Sequence, residues 1–211
     1  MIAIVDYGAG NIFSVKNALD HLGVANKLTS DAKDLVSADG IILPGVGAFP
    51  AAMEMLEKSG LVGTIREQAK VKPLLGICLG MQLLFEKSFE FRECEGLGFL
   101  KGYVDKIDDP GLIIPHMGWN KLEYNHDCPL FDGLDECYVY FVHSYKAFCG
   151  DEDLYAYCEY GSRVTAVAGD GKFVYGTQFH PEKSGAAGLK MLENFAKIVR
   201  QDEICLLRMS E

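Results

Sequence analysis

Apolar and polar positions change their spacing about half-way along the chain. The first half alternates short continuous apolar runs, typical of buried strands, with segments of helical spacing. In the first such segment the apolar residues are Ile12, Val15, Ala18, Leu19 and Leu22. Strands that alternate with helices are joined by right-handed crossovers into a parallel sheet. We therefore expect an α/β fold with a mostly parallel central sheet flanked by helices.

The elements of this half follow directly from that spacing. The predicted strands are Ile2–Asp6, Val24–Leu28, Gly40–Leu43 and Leu74–Ile77. The predicted helices are Asn11–Leu22, Pro50–Lys58 and Leu61–Lys70.

The second half consists of short segments rich in Tyr, Phe and Val, with turn residues between them. These segments are Leu100–Ile107, Trp119–Tyr124, Tyr138–Phe148, Leu154–Tyr160, Thr165–Ala168 and Phe173–Phe179. The string Gly169-Asp170-Gly171 is a hairpin signal between the last two. We therefore expect an additional antiparallel β region, closed by a helix over Ser184–Arg200.

Length, charge and cysteine usage narrow the class of protein. The chain of 211 residues suits one domain over residues 1–200, and the weakly periodic residues 201–211 predict a C-terminal tail, disordered or folded only against a partner. The net charge of −10 argues against nucleic acid or an anionic membrane as partner, and no apolar run approaches the roughly 18 residues of a membrane span. Seven cysteines without a Cys-x-x-Cys pair, and a start that lacks the basic region of a signal peptide, predict free thiols in the cytoplasm.

The strongest chemical signal is the string Gly76-Ile77-Cys78-Leu79-Gly80, at the end of an apolar run. Glycines on both sides of the cysteine leave room for a strained strand-to-helix elbow that presents the thiol above the sheet. A helix N-terminus and a nearby imidazolium can both lower the pKa of a cysteine from its ordinary value of about 8.5. The backbone N–H of Leu79 is, by the same geometry, a donor for a developing oxyanion.

A second string, Phe179-His180-Pro181-Glu182, supplies a base and a carboxylate. His180 and Glu182 are two residues apart, so that they project to the same side of an extended chain. A thiol, an imidazole and a carboxylate are the parts of a nucleophilic triad. The glycine-rich string Pro44-Gly45-Val46-Gly47 ends a neighbouring strand at the same sheet edge, where it can offer a second oxyanion donor. Together these strings predict a cysteine hydrolase of amide bonds.

Simpler interpretations compete with each string taken alone. A glycine-flanked cysteine is about as often a packed turn as a nucleophile, and an isolated His-Pro-Glu is more often a capped surface turn. Their combination in one α/β chain favours catalysis. No metal is expected, because His116, His126 and His143 share no metal-ligand spacing with a cysteine. No nucleotide cofactor is expected either, because Gly8-Ala9-Gly10 lacks the dinucleotide pattern and the P-loop lysine.

The cysteine and histidine strings resemble those of the triad-type (class I) glutamine amidotransferases, over nearly the whole chain. Within that family the chain is most similar to the branch of glutaminases that serve imidazole glycerol phosphate synthase. The segments that carry the resemblance, besides the elbow, are Asp6-Tyr7-Gly8-Ala9-Gly10-Asn11, Leu43-Pro44-Gly45-Val46-Gly47-Ala48-Phe49, Pro115-His116-Met117-Gly118-Trp119-Asn120, Tyr140-Phe141-Val142-His143-Ser144-Tyr145 and His180-Pro181-Glu182-Lys183-Ser184.

The resemblance implies a mechanism without a cofactor. Cys78 attacks the side-chain amide of glutamine, and His180, oriented by Glu182, protonates the departing ammonia. A γ-glutamyl thioester forms and is hydrolysed to glutamate. The implied oxyanion donors are Leu79 and Gly47, and the implied glutamine-binding residues are Gly45, Gln82, Ser144 and Tyr145.

The resemblance also implies a partner, a separate (β/α)₈-barrel cyclase subunit that uses the ammonia in histidine biosynthesis and forms a heterodimer with this chain. The implied interface residues are Asn11, Met117, Trp119, Tyr140 and Lys183. Three alternatives stay open: the same glutaminase serving another ammonia-dependent synthase, a stand-alone cysteine hydrolase on this scaffold, and a binding module with an inert cysteine.

Overall fold

The structure, a computed structural model, describes residues 1–107 and 111–209. Its helices are α1 (Ile12–His21), α2 (Ala32–Ser37), α3 (Phe49–Lys58), α4 (Val62–Gln68), α5 (Leu79–Gln82) and α6 (Gly185–Met209). Its strands are β1 (Ile2–Val5), β2 (Asn26–Thr29), β3 (Gly40–Gly45), β4 (Leu74–Cys78), β5 (Phe85–Ser88), β6 (Cys94–Glu95), β7 (Leu100–Lys106), β8 (His116–Lys121), β9 (Glu123–Tyr124), β10 (Tyr138–His143), β11 (Tyr145–Phe148), β12 (Leu154–Tyr160), β13 (Ser162–Gly169) and β14 (Val174–Thr177). Short 3₁₀ helices cover Pro129–Phe131 and Pro181–Lys183.

The main sheet of the described residues has eight strands in the order β2-β1-β3-β4-β14-β13-β12-β9. The five neighbouring strands β2, β1, β3, β4 and β14 run parallel to one another. Strands β13, β12 and β9 continue the sheet in antiparallel fashion. All residues of β3 and β4 are buried, as expected for parallel strands that are covered on both faces. The predicted α/β fold, parallel in its first half and antiparallel in its second, is confirmed.

The side chains of alternate residues in the parallel strands pack into two separate cores, one on each face of the sheet. Ile4 and Ile42 belong to the core that α1 and α6 cover, together with Phe195. Val5 and Leu43 belong to the opposite core, which α3 and α4 cover. This period of two places the carboxyl ends of β3, β4 and β14 side by side between two helical layers.

The segment Tyr138–Phe148, predicted as one strand, is in fact two strands in different sheets. β10 pairs with β8 in a two-stranded sheet, whereas β11 joins a four-stranded sheet of order β11-β7-β5-β6. The break has a packing cause, because Phe141 of β10 packs into the first core and Ala147 of β11 into the second. The chain crosses between the cores at Ser144.

The C-terminal helix α6 corresponds to the helix predicted over Ser184–Arg200 and extends to Met209. A separate role for residues 201–211 stays a prediction, and residues 210 and 211 lie outside the described part of the chain. Within that part, no helix combines the length and the apolar character needed to cross a membrane.

Candidate active site

Cys78 ends β4 and lies at the sharp strand-to-helix turn that its flanking glycines predict. Its backbone has φ 55° and ψ −113°, a conformation that residues with a Cβ rarely adopt. A Cβ on Gly76 would lie 2.6 Å from the carbonyl oxygen of Gly80, and one on Gly80 would overlap the carbonyl oxygen of Leu43. Glycine is therefore required at both positions, because backbone atoms occupy the space that a side chain would need.

The helix that follows the elbow is short. α5 contains the four residues Leu79–Gln82, which is about one turn. A single turn aligns few peptide dipoles, so that it stabilises a thiolate less than a long helix does.

His180 and Glu182 form a buried hydrogen-bonded pair beside the elbow. Nδ1 of His180 lies 2.8 Å from Oε1 of Glu182, and their side chains are 3% and 1% exposed. Cys78 lines the same cavity as His180 and interacts with its imidazole. Burial lowers the pKa of His180, but the hydrogen bonds and charges of Cys78 and Glu182 outweigh it and raise this pKa to about 9. The imidazole is therefore protonated in this environment at neutral pH.

Backbone contacts hold this pair against β10. The N–H of His180 donates to the carbonyl of Tyr140 at 3.1 Å. Ser184 Oγ donates to the carbonyl of His180 at 2.6 Å and accepts from the N–H of Tyr140 at 3.0 Å. The second carboxylate oxygen of Glu182 is buried without a hydrogen-bond partner among the described residues, so that its charge is balanced chiefly by His180.

A cavity of about 490 Å³ opens over the thiol. The predicted site residues that line it are Cys78, Leu79, Gly47, Gln82, Ser144, Tyr145, His180 and Lys183. Gly45 lies beneath the elbow instead: it pairs with Cys78 between β3 and β4, and a Cβ there would lie 2.8 Å from the backbone nitrogen of Gly80. The absence of a side chain at Gly45 lets the backbones of β3 and of the elbow pack closely.

Comparison with known proteins agrees with this geometry. A family model described as glutamine amidotransferase class-I matches residues 3–199. The chain belongs to this family. Proteins named "Imidazole glycerol phosphate synthase subunit HisH" are similar to it: those of Bacillus cereus strain AH187 and Bacillus anthracis strain A0248 are 52% and 51% identical over 201 residues, which cover 94% of this chain and 95% of each relative.

Solved structures of lower identity show the same fold. A crystal structure titled glutamine amidotransferase has a TM-score of 0.74 at 19% identity, covering 95% of this chain and 100% of that one. The structure of PurLQS from Thermotoga maritima has a TM-score of 0.73 at 21% identity, covering 93% of this chain and 97% of that one.

Two polar residues of this amidotransferase's site were not predicted. Gln178 accepts from Nε2 of Gln82 at 2.9 Å, and its own Nε2 donates to Cys78 Sγ at 3.9 Å. Glu90 lines the cavity, where Oε2 accepts from the N–H of Phe49 at 2.7 Å and burial raises the pKa of the carboxyl. Gln178 is only two residues from His180, which is a local signal, whereas no local spacing marks Glu90.

The predicted interface residues fall at three places. Met117 and Trp119 are exposed on β8, with Trp119 at 54%, and Tyr140 of β10 lies opposite Trp119 with their rings 6.1 Å apart. Asn11 precedes α1, where its Oδ1 accepts from Ser14 Oγ at 2.8 Å. Lys183 lines the cavity. The two-stranded sheet thus presents an aromatic face to solvent, and we refer to Met117, Trp119, Tyr138 and Tyr140 as the aromatic face.

Proposed function

We propose that this chain is the glutaminase subunit of a cytoplasmic imidazole glycerol phosphate synthase. It hydrolyses glutamine to glutamate and ammonia and delivers the ammonia to a (β/α)₈-barrel cyclase subunit in histidine biosynthesis. The observation that carries this proposal is the strained Cys78 at the cavity that His180 also lines, with Nδ1 of His180 2.8 Å from Oε1 of Glu182. Identity of 52% to relatives named as HisH subunits supports the choice of synthase.

In the proposed acylation step, the sulfur of Cys78 adds as the thiolate to the carboxamide carbon of glutamine, while Nε2 of His180 keeps its proton because the pKa of this imidazole is about 9. The N–H groups of Leu79 and Gly47 stabilise the oxyanion. When the tetrahedral intermediate collapses, the C–N bond breaks and the imidazolium gives its proton to the leaving nitrogen, so that ammonia departs.

Deacylation reverses these roles. Water adds to the thioester carbon while His180 accepts a proton from it, and the C–S bond then breaks to release glutamate and regenerate the thiolate beside the protonated His180. Glu182 holds Nδ1–H of the imidazole toward itself in both steps, so that Nε2 faces the reacting atoms.

The cavity supplies a carboxylate for one end of the glutamine backbone and main-chain groups for the other. Glu90 is buried on its wall, and since Oε2 accepts from Phe49, Oε1 remains for the α-ammonium group of the substrate. The backbone of Ser144 and Tyr145 forms part of the same wall and offers contacts to the α-carboxylate. Binding both charged ends places the side-chain amide over Cys78.

Docking of the cyclase on the aromatic face is proposed to complete the oxyanion hole. An exposed Trp near a Met and a Tyr is a common interface anchor. Gly47 has φ 101°, and a Cβ built on it would meet nothing within 4 Å, so that its peptide has room to reorient. The isolated chain should therefore hydrolyse glutamine slowly, and a cyclase carrying its own ligand should accelerate it by orders of magnitude.

Cys78→Ala tests this function in the complex with the cyclase. We expect glutamine-dependent synthesis to disappear while ammonia-dependent synthesis stays, because only acyl transfer needs the thiol. A joint loss of both activities would make Cys78 structural. Glutamine-dependent synthesis with a different synthase, or peptide hydrolysis by the lone chain, would favour the two alternative enzymes.

A further inference from the structure

Two histidines outside the triad form a buried cross-strand pair. His116 of β8 and His143 of β10 lie directly opposite each other, on the face of the two-stranded sheet that packs into the first core. His116 Nδ1 is 3.0 Å from His143 Nε2, and His143 Nδ1 is 2.8 Å from the carbonyl oxygen of Tyr145. The remaining nitrogen, Nε2 of His116, is 2.9 Å from the side-chain amide of Asn120. All four ring nitrogens are therefore engaged.

The contacts determine where the protons of this pair lie. A carbonyl oxygen only accepts, so that His143 Nδ1 carries a hydrogen. Burial lowers the pKa of His143 to about 3 and also lowers the pKa of His116, so that each ring is neutral and has one N–H. His143 Nε2 is then an acceptor, and the hydrogen between the rings belongs to Nδ1 of His116.

The same logic fixes Asn120. With its hydrogen on Nδ1, His116 has a lone pair on Nε2 and needs a hydrogen-bond donor there. The NH₂ group of Asn120 is that donor once the side-chain amide is rotated by 180° from its orientation in the structure, in which Oδ1 faces the ring. If His143 were protonated instead, its imidazolium would lie near His180 and Lys146. The positive charges of these two residues lower the pKa of His143 and so disfavour that form. Phe141 and Tyr160 stack on the two faces of His116, at 4.7 and 4.0 Å between ring centroids, and keep its plane fixed.

The chain of donors that begins at Asn120 ends in the glutamine cavity. The carbonyl of Tyr145 also accepts from Nε2 of Gln82 at 3.0 Å, and Gln82 contacts Gln178, which donates to Cys78. The opposite face of the same two strands is the aromatic face. One pair of strands thus has the proposed docking surface on one side and a hydrogen-bonded connection to the cavity wall on the other.

We propose that His116 and His143 are positioning residues, a pair of neutral Nδ1–H tautomers that fixes the Ser144–Tyr145 wall of the cavity to the strands of the aromatic face. The expected effect on catalysis rests on the proposed function, whereas the assignment of the two tautomers does not. The wall is held from β10 through His143, and His143 is held from β8 through His116. Loss of either imidazole releases one of these connections.

The tautomers can be tested by long-range ¹H–¹⁵N NMR of the full chain labelled at its five histidines. We expect Nδ1–H forms for His116 and His143 at pH 7, assigned through the His116→Phe and His143→Asn spectra. An Nε2–H form at His143, or an imidazolium at either residue, would overturn the proposal. This readout needs no turnover, so that it remains decisive even if the chain proves not to be a glutaminase.

The positioning role can be tested by steady-state kinetics in the complex with the cyclase. His143→Leu removes both contacts, and we expect the KM for glutamine to rise about tenfold, as for one lost buried hydrogen bond, while kcat falls less than about threefold. His143→Asn keeps a donor near the Nδ1 position and should restore most of that KM. His116→Phe keeps the stacked ring but not the donor, and should raise KM by a smaller factor.

A purely structural role predicts a different result. The fraction of folded enzyme would fall, KM would stay unchanged, and His143→Asn would behave like His143→Leu; either of the last two outcomes would refute the positioning role. If the wild-type complex itself hydrolyses no glutamine, the proposed function fails, and the NMR result still decides the arrangement of the pair.

Discussion

The backbone of Cys78 should cost the fold stability, and two substitutions can measure that cost. A positive φ of 55° with ψ −113° is unfavourable only because Cys78 has a Cβ. Cys78→Ala removes the sulfur and keeps the Cβ, whereas Cys78→Gly removes both. Since each variant loses the same sulfur contacts, the difference in their free energies of unfolding reflects the strain together with the greater freedom of glycine in the unfolded chain.

The expected difference can be worked out from general magnitudes. A backbone strained in this way costs about 1–3 kcal/mol. Glycine in turn loses about 0.4–1 kcal/mol more than alanine through the freedom of the unfolded chain. With mid-range values of about 2 and about 0.7 kcal/mol for these two terms, Cys78→Gly should be roughly 1 kcal/mol more stable than Cys78→Ala. For a chain of this length that corresponds to a Tm about 2–4 °C higher.

Urea unfolding and thermal melts, followed by circular dichroism, provide the measurement. Ala166→Gly is a matched control, because Ala166 is buried in β13 and the same change should destabilise the protein there. Both Cys78 variants are expected to be inactive, so that turnover cannot affect the comparison. A Cys78→Gly variant that melts at or below Cys78→Ala would refute the assignment of strain to the elbow.

Three further predictions concern the triad and the partner. His180→Ala should reduce glutaminase rates nearly as much as Cys78→Ala, and Glu182→Gln should be milder or at most comparable; a greater loss for Glu182→Gln would show the roles to be wrong. Because the pKa of His180 is raised from 6.5 to about 9, its stabilising contribution is fully present below pH 6.5 and is lost as the pH rises through 9. Urea unfolding across this window should show that decline, and Glu182→Gln should flatten it. In titrations with the cyclase, Trp119→Ala should weaken binding by about tenfold or more. Val36→Ala, a change at another exposed apolar residue, serves as the control and should leave binding unchanged. Lys183→Ala should chiefly reduce the acceleration of glutaminase activity by the cyclase ligand.

The parallel half of the fold could be predicted because its signals are local. β3 and β4 are buried on both faces, which produces continuous apolar runs in the sequence. β5 was missed, since Phe85-Glu86-Lys87-Ser88 contains two charged residues and becomes a strand by pairing with β6 and β7. The six-residue helix α2 was also missed, although Asp31, whose side chain accepts from the N–H of Lys33, is a recognisable N-cap.

The residues of the site also fall into two groups, those that a local sequence string marks and those that only the fold brings together. Cys78, His180 and Glu182 could be found because short strings surround each of them. Glu90 and the contact between Gln82 and Gln178 arise only when distant segments meet across β4, β14 and the loop after β5, and no spacing in the sequence encodes that meeting. Gly45 adds a structural reason for its glycine, because a Cβ there would crowd the backbone beneath the elbow; the contact to glutamine that the resemblance implies stays a prediction.

This packing also restricts how a partner can control the proposed reaction. The elbow cannot move easily, because Gly76 and Gly80 are in close backbone contact with their surroundings and any shift of Cys78 would disturb β3. The His180–Glu182 pair is buried and is bonded to β10 through the backbone. At Gly47, by contrast, a Cβ built on the backbone would meet nothing within 4 Å. In the proposed mechanism, activation by the cyclase therefore acts on the oxyanion donor and on the wall at Tyr145, while the triad stays in place.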